Sequence, residues 1–165
     1  MELPNRKHLR LQDYDYNQGG LYFITACIKD RQELLGKVVS PGDAVPYMEL
    51  SDLGKIVDIA LAEISTHYDN VIVDDYVVMP NHIHVLLFLT TSMLDTPDRT
   101  KALVSGVITA LKRVTNKAAG TNLWQTSFHD HIIRDERGYL DTRHYIDVNP
   151  QKWAEDVYHP QEKLA

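Results

Sequence analysis

The sequence contains only one cysteine, Cys27, among its 165 residues. A lone cysteine excludes an internal disulfide and a zinc site built from cysteines. No apolar run approaches the roughly 20 residues that a membrane-spanning helix needs. The charged N-terminus is not followed by the apolar segment of a signal peptide, and internal repeats and low-complexity segments are also lacking. These absences predict a cytoplasmic protein with no membrane segment.

What the chain does have is the composition of a folded domain, with 44% hydrophobic and 24% charged residues. A chain of this length can bury a core without disulfide or metal staples. We therefore predict one domain over residues 1–165, which begins with an irregular basic lead-in over 1–19 and ends with a tail over 151–165.

The net charge of −6 does not by itself indicate a nucleic-acid binder, but the charges are unevenly distributed. Residues 99–145 carry eight basic and four acidic side chains, and residues 1–10 carry three basic and one acidic. A local basic surface can bind phosphates even on an acidic protein, with an affinity that falls as salt rises. Ordinary solvated helix faces would explain the same charges equally well.

Hydrophobic periodicity and turn residues predict the secondary structure. Ser51 and Asp135 are predicted N-caps of helices, and the Asp74-Asp75 pair indicates a bulge in the strand that contains it. The order of elements predicts an α+β fold, a ferredoxin-like split β-α-β antiparallel sheet with helices on one face and a further helix near the C-terminus. The predicted strands cover 21–29, 70–78, 82–89 and part of 121–134, the helices cover 52–67, 99–118 and 137–148, and a loop or loose hairpin covers 36–50.

Two histidines stand one residue apart at the start of a predicted apolar strand. Because side chains alternate along a strand, His82 and His84 point to the same face, while Ile83 and Val85 point to the other. Neighbouring imidazoles on a rigid strand are good metal ligands. A structural role for the pair is about as common, so the pair alone indicates no more than a candidate metal site.

A tyrosine and an asparagine lie four residues apart on the last predicted helix. Tyr145 and Asn149 therefore share a helix face, with β-carbons roughly 5–6 Å apart. A phenol can attack phosphorus, and an amide oxygen can bind a divalent metal. Each residue alone is more often structural, and only the combination with the histidine pair points to phosphoryl transfer.

Three motifs in this order resemble the REP-associated tyrosine transposases. This family belongs with the single-tyrosine insertion-sequence transposases of the His-hydrophobic-His endonuclease superfamily. The joint match is specific and runs from about Tyr22 to Trp153. The motifs are Met79-Pro80-Asn81-His82-Ile83-His84, then Trp124-Gln125 with Phe128-His129-Asp130-His131-Ile132-Ile133-Arg134, and then Tyr145-Ile146-Asp147-Val148-Asn149-Pro150.

The resemblance implies a role for each motif residue. His82 and His84 would be metal ligands, Asn149 would be the third ligand, and the metal would be magnesium or manganese. Tyr145 would be the nucleophile that cleaves single-stranded DNA and leaves a 5′-phosphotyrosine link with a free 3′-hydroxyl. The last helix would then be the catalytic helix, and the target would be DNA that contains an imperfect hairpin.

The resemblance predicts the residues that contact DNA less directly, because phosphate contacts are easily relocated on a protein surface. The resemblance also leaves open a homodimer in which the tyrosine helix of one subunit serves the histidines of the other. The candidate DNA contacts are Arg6, Lys7, Arg10, Lys112, Arg113, Lys117 and Arg134.

Two other classes of function compete with the transposase hypothesis. One is a non-catalytic nucleic-acid binding module, because split β-α-β sheets often bind RNA through exposed aromatic residues. The other is a small-molecule metalloenzyme that combines the histidine pair with ligands from elsewhere, for which His129, Asp130 and His131 are candidates.

Overall fold

The structure, a computed structural model, describes residues 20–90 and 97–160. Every strand and helix predicted from the sequence is present within a few residues of its predicted bounds, and the 36–50 segment is a hairpin. The strands are β1 (Leu21–Cys27), β2 (Gly36–Val39), β3 (Tyr47–Leu50), β4 (Val71–Val78), β5 (His82–Leu89) and β6 (His129–Ile133). The helices are α1 (Asp52–His67), α2 (Pro97–Ala119) and α3 (Glu136–Val148), with 3₁₀ turns at Lys29–Arg31 and Pro150–Glu155.

The main sheet has four strands in the order β4-β5-β1-β6, and each neighbouring pair is antiparallel. This order is that of a split β-α-β sheet, in which each strand-helix-strand unit leaves room for a strand of the other unit. The predicted fold class is therefore confirmed. Strands β2 and β3 form a separate two-stranded sheet.

The two faces of the main sheet carry different side chains. Ile83, Val85 and Leu87 of β5 belong to the larger core, which contains apolar residues of α1 and α2. Leu86 belongs to a smaller cluster on the other face, which it shares with Ile146 of α3. His82 and His84 alternate with the larger-core residues and so lie on the α3 face. The fold thus places the histidine pair and the tyrosine-bearing helix on one side of the sheet.

Local sequence signals account for the predicted caps and the bulge. Ser51 accepts a hydrogen bond from the backbone N–H of Gly54 at 3.1 Å, and Asp135 accepts one from Gly138 at 2.6 Å. The register of β4 against β5 shifts between Val73 and Asp75, which confirms the bulge. Each of these features depends on residues within one turn of the chain.

The residue before a proline usually leaves the helical conformation, but Asn149 at the end of α3 does not. Asn149 has φ −55° and ψ −45°, which is helical, and Pro150 occupies the first turn of the 3₁₀ helix that follows, where proline is tolerated. The chain therefore runs on to bury Trp153 and Asp156. None of the described helices is long and apolar enough to cross a membrane.

Candidate active site

The histidine pair lies at the start of β5 and is completely covered, with 0% of His82 and 1% of His84 exposed. The Nε2 atoms of the two rings are 3.1 Å apart. Their ring planes are inclined at 72°. The two imidazoles therefore direct one nitrogen each toward the same space.

The other ring nitrogens are held by hydrogen bonds. Nδ2 of Asn81 donates a hydrogen bond to the Tyr158 carbonyl oxygen at 2.7 Å, which fixes the orientation of the Asn81 amide. Its Oδ1 therefore accepts from Nδ1–H of His82 at 2.8 Å, which leaves the lone pair of His82 on Nε2. His84 Nδ1 lies 2.7 Å from the Thr25 hydroxyl oxygen, which can accept a proton or donate one. When Thr25 accepts, both Nε2 lone pairs face the same point, and such partners fix metal-ligating tautomers in many proteins.

Both imidazoles are neutral at ordinary pH. Burial, with smaller effects of His84 and Arg31, lowers the pKa of His82 to about 2. Burial lowers the pKa of His84 to about 3. A histidine must be neutral to bind a metal, so the pair is in the required protonation state.

The residues around the pair fit a divalent cation. Two adjacent ligands of an octahedral ion with bonds of about 2.1 Å lie about 3.0 Å apart, close to the 3.1 Å between the Nε2 atoms. A ligand atom of Asp156 lies within 4.8 Å of those of His82 and His84. Oδ1 of Asn149 is buried and makes no hydrogen bond with the described residues. A cation would satisfy an oxygen that is otherwise costly to bury.

Tyr145 lies beside the histidine pair. Its ring centre is 5.2 Å from that of His84 and 6.0 Å from that of Phe23. The side chain is 39% exposed, and with Asn149 and Asp156 it lines a cavity of about 190 Å³. Burial and the Asp156 carboxylate raise the pKa of the phenol, and a hydrogen bond from Asn149 opposes them. Without a cation, the phenol therefore stays protonated at neutral pH.

Three residues of the C-terminal segment complete the site and were not predicted from the sequence. The Tyr158 ring lies 4.4 Å from that of His82, and the Trp153 ring lies 5.9 Å from it. Asp156 adds a carboxylate, and its Oδ1 accepts from the backbone N–H of Tyr158. Both Glu155 and Asp156 stand between Trp153 and Tyr158, so the sequence does not distinguish the acid that reaches the histidines.

The predicted DNA contacts on α2 are not among the residues that contact the histidine pair. Lys112, Arg113 and Lys117 are on α2, whose core residues pack on the opposite face of the sheet. Lys112 donates from Nζ to the carbonyl oxygens of Gln125 and Ser127, at 2.8 and 3.1 Å. Arg113, Lys117 and Arg134 are exposed, whereas Arg6, Lys7 and Arg10 lie outside the described residues.

The alternative metal ligands do not join the histidine pair. His129, Asp130 and His131 are exposed on β6. Within 20–90 and 97–160, it is Asp156 that groups with His82 and His84.

Comparison with known proteins gives one named family, although the chain matches no protein-family model. It is 29% identical to an uncharacterized protein of Haemophilus influenzae over 172 aligned positions, which cover 93% of each protein. It is also 29% identical to the REP-associated tyrosine transposase of Escherichia coli over 87 positions, which cover 52% of this chain and 48% of that protein.

Among solved structures, a REP-associated tyrosine transposase bound to a REP hairpin superposes on this chain with a TM-score of 0.58. The superposition covers 92% of this chain and 74% of the other, at 21% sequence identity. These comparisons confirm the resemblance drawn from the motifs, and the superposition confirms the fold.

Proposed function

We propose that this chain is a metal-dependent transposase that cleaves and joins single-stranded DNA at hairpins through a covalent 5′-phosphotyrosine intermediate. The observation that carries the proposal is the position of Tyr145. Its ring lies 5.2 Å from His84, beside two neutral imidazoles whose Nε2 atoms converge at 3.1 Å. A nucleophile and a metal site side by side are what phosphoryl transfer by a tyrosine requires.

His82 and His84 would hold the cation, with Asn149 and Asp156 supplying oxygen ligands. The donor set of imidazole and carbonyl or carboxylate oxygens suits manganese or magnesium. When bound, the cation would polarise the phosphodiester and stabilise the charge that develops in the transition state.

The protein's own part in the reaction is to supply and release the nucleophile. The phenol oxygen of Tyr145 forms a bond to phosphorus, and the bond between phosphorus and the 3′-oxygen breaks. The phenol proton passes to water, which reaches Tyr145 because the side chain is 39% exposed. The departing oxygen takes a proton and becomes a free 3′-hydroxyl. Attack by a 3′-hydroxyl on the phosphotyrosine reverses these changes and joins DNA strands.

The DNA partner follows from the relative whose solved structure holds a REP hairpin. We assign Arg113, Lys117 and Arg134 to phosphate contacts because they are exposed and basic. Arg6, Lys7 and Arg10 stay candidates for the same role. Lys112 would act indirectly, since its ammonium group holds the 125–127 segment through backbone carbonyls.

A homodimer is not needed to bring the groups together. The histidine pair and Tyr145 of one chain are already neighbours, with 5.2 Å between the rings of His84 and Tyr145. We therefore propose that the reaction takes place within one subunit, even if two subunits associate on DNA.

The proposal is tested by incubating the protein with a single-stranded hairpin oligonucleotide and Mn²⁺, followed by denaturing electrophoresis. A 5′-phosphotyrosine retains the DNA on the 3′ side of the break. A 3′-labelled oligonucleotide should therefore shift to a protein-bound band, and a 5′-labelled one should be released as a shorter fragment. EDTA should suppress both products.

Two tyrosine variants make the assay specific for the nucleophile. Tyr145→Phe should abolish the adduct, whereas Tyr158→Phe, which alters the other tyrosine beside the histidines, should keep it. An adduct from the Tyr145→Phe protein would overturn the assignment. Hairpin binding without any product from the wild type would favour the non-catalytic binding module.

A further inference from the structure

Four polar side chains form a buried network between α3 and β4. The Tyr139 hydroxyl donates to Oδ2 of Asp74 at 2.8 Å, and Nη1 of Arg143 donates to the Tyr139 hydroxyl oxygen at 3.0 Å. The guanidinium group also lies 3.8 Å from Asp74 and 3.9 Å from Asp75. Only 8% of the Arg143 side chain and 1% of each aspartate side chain are exposed.

The β-bulge explains why two consecutive aspartates reach the same arginine. In a regular strand, Asp74 and Asp75 would point to opposite faces of the sheet. The register shift between Val73 and Asp75 adds one residue to β4, and both carboxylates approach Arg143 from the same side. The bulge therefore brings two carboxylates to the guanidinium group of Arg143 on α3.

Arg143 and Tyr139 belong to the buried stripe of α3, together with Ile146. Tyr145 lies on a different side of the helix, next to the stripe, where it reaches His84. The rotation of α3 about its own axis therefore decides where the phenol lies. At a side-chain radius of about 6 Å, a rotation of 10° moves the tip of a side chain by about 1 Å.

Apolar packing alone is a weak control of such a rotation. The apolar cluster beneath α3 holds only Tyr139 and Ile146 from the helix. A guanidinium group is planar and binds carboxylates in fixed directions. A charged group buried away from its partners is also strongly disfavoured. Arg143 donates a hydrogen bond to Tyr139 and lies within 4 Å of both carboxylates, although its Nε makes no hydrogen bond with the described residues. A rotation that took the guanidinium group away from Asp74 and Asp75 would therefore be opposed.

From this geometry we infer that Arg143 is a positioning residue for the Tyr145 nucleophile, acting through the bulge carboxylates Asp74 and Asp75. The inference rests on the proposed function. It assigns the network a task beyond stability, which is to hold the phenol where it can reach a phosphate beside the histidine pair.

The experiment compares Arg143→Met and Arg143→Lys with a matched control, Arg137→Met. Arg137 lies on the same helix and faces Asp141 at 4.0 Å, but its side chain is 91% exposed. For each protein, the rate of adduct formation is measured at saturating hairpin DNA with Mn²⁺, and hairpin affinity is measured separately. Circular dichroism establishes the folded fraction at the assay temperature.

We expect both Arg143 variants to form the adduct at least about tenfold more slowly, since a misplacement of about 1 Å can cost a factor of about 100. Their hairpin affinity should change less than about twofold, and Arg137→Met should match the wild type. The inference is overturned if a folded Arg143 variant reacts at the wild-type rate, or if rate and affinity fall together in proportion to the folded fraction.

The Arg143→Met protein has two buried carboxylates without their cation and can fail to fold. In that case Arg143→Lys, which keeps the charge but loses the planar group, decides the question by the same two measurements. A wild-type protein that forms no adduct would instead refute the proposed function, and the two failures are thus distinguishable.

Discussion

Because the histidine pair is buried, we expect the folded protein to lose much of its stability as the pH falls. The native pKa values are about 2 for His82 and about 3 for His84, against about 6.5 in an unfolded chain. Below pH 6.5 the unfolded chain therefore binds two protons that the native protein does not bind. The stabilisation from the neutral pair is complete above that pH, and it is lost as the pH falls toward 3.

The size of the effect follows from those pKa values. Each histidine costs about 1.4 kcal/mol of unfolding free energy per pH unit once the unfolded form is protonated. Between pH 7 and pH 5 this amounts to about 2 kcal/mol for each histidine, and to about 4 kcal/mol for the pair. The figure applies without discount for solvent screening because both rings are fully buried.

The assay is urea denaturation at pH 7 and pH 5 with EDTA present, so that no cation binds. A His82→Asn/His84→Asn variant should lose about 4 kcal/mol less than the wild type over this range. A His129→Asn/His131→Asn variant, which removes exposed histidines, should keep the wild-type loss. If the wild type and the buried-pair variant lose the same free energy of unfolding between pH 7 and pH 5, the native pair binds a proton, for example beside Asp156. It would then offer no second lone pair to a cation.

Three further predictions concern the cation site and the core. Asp156→Asn should weaken Mn²⁺ binding, measured by calorimetry, by about tenfold or more; a change below about twofold would remove Asp156 from the ligand set. Gly54→Ala would drive a β-carbon into a backbone carbonyl and should destabilise the folded protein by about 1–3 kcal/mol. Gly106→Ala, with open space around the new β-carbon, should stabilise it by up to about 1 kcal/mol. Equal changes of melting temperature in the two variants would contradict the packing around Gly54. Thr115→Val removes the buried acceptor of the Trp124 indole N–H and should cost about 1–3 kcal/mol in urea denaturation; no loss would mean that the indole finds another acceptor.

The fold was predictable where its determinants are local. The hydroxyl of Ser51 and the carboxylate of Asp135 cap helices that begin at the next residue. The apolar periods of α1 and β5 select their buried faces. The Asp74-Asp75 pair indicated a bulge because consecutive carboxylates cannot both be placed well in a regular strand with one apolar face.

The surroundings of the histidine pair were not predictable, because their partners come from distant parts of the chain. Thr25 is 59 residues from His84, and Asn81 is 77 residues from the Tyr158 carbonyl that orients its amide. Asp156 is one of 23 acidic residues, and nothing in its spacing separates it from the others. Only the tertiary fold brings it to the imidazoles.

Charge alone also says little about what a basic residue does. Lys112 was predicted to contact DNA because it lies in a basic stretch. In the fold its ammonium group donates to two backbone carbonyls and lies 5.9 Å from the centre of the Phe128 ring. The sequence gives the charge of a side chain but not whether the fold already uses its hydrogen-bond donors.

The central claim is that the phenol beside the histidine pair is the group that becomes linked to DNA. Digestion of the covalent adduct and tandem mass spectrometry test it most directly. We expect the nucleotide remnant on the peptide that contains Tyr145. A remnant on Tyr158, whose ring lies 4.4 Å from that of His82, or on any other residue would contradict the account.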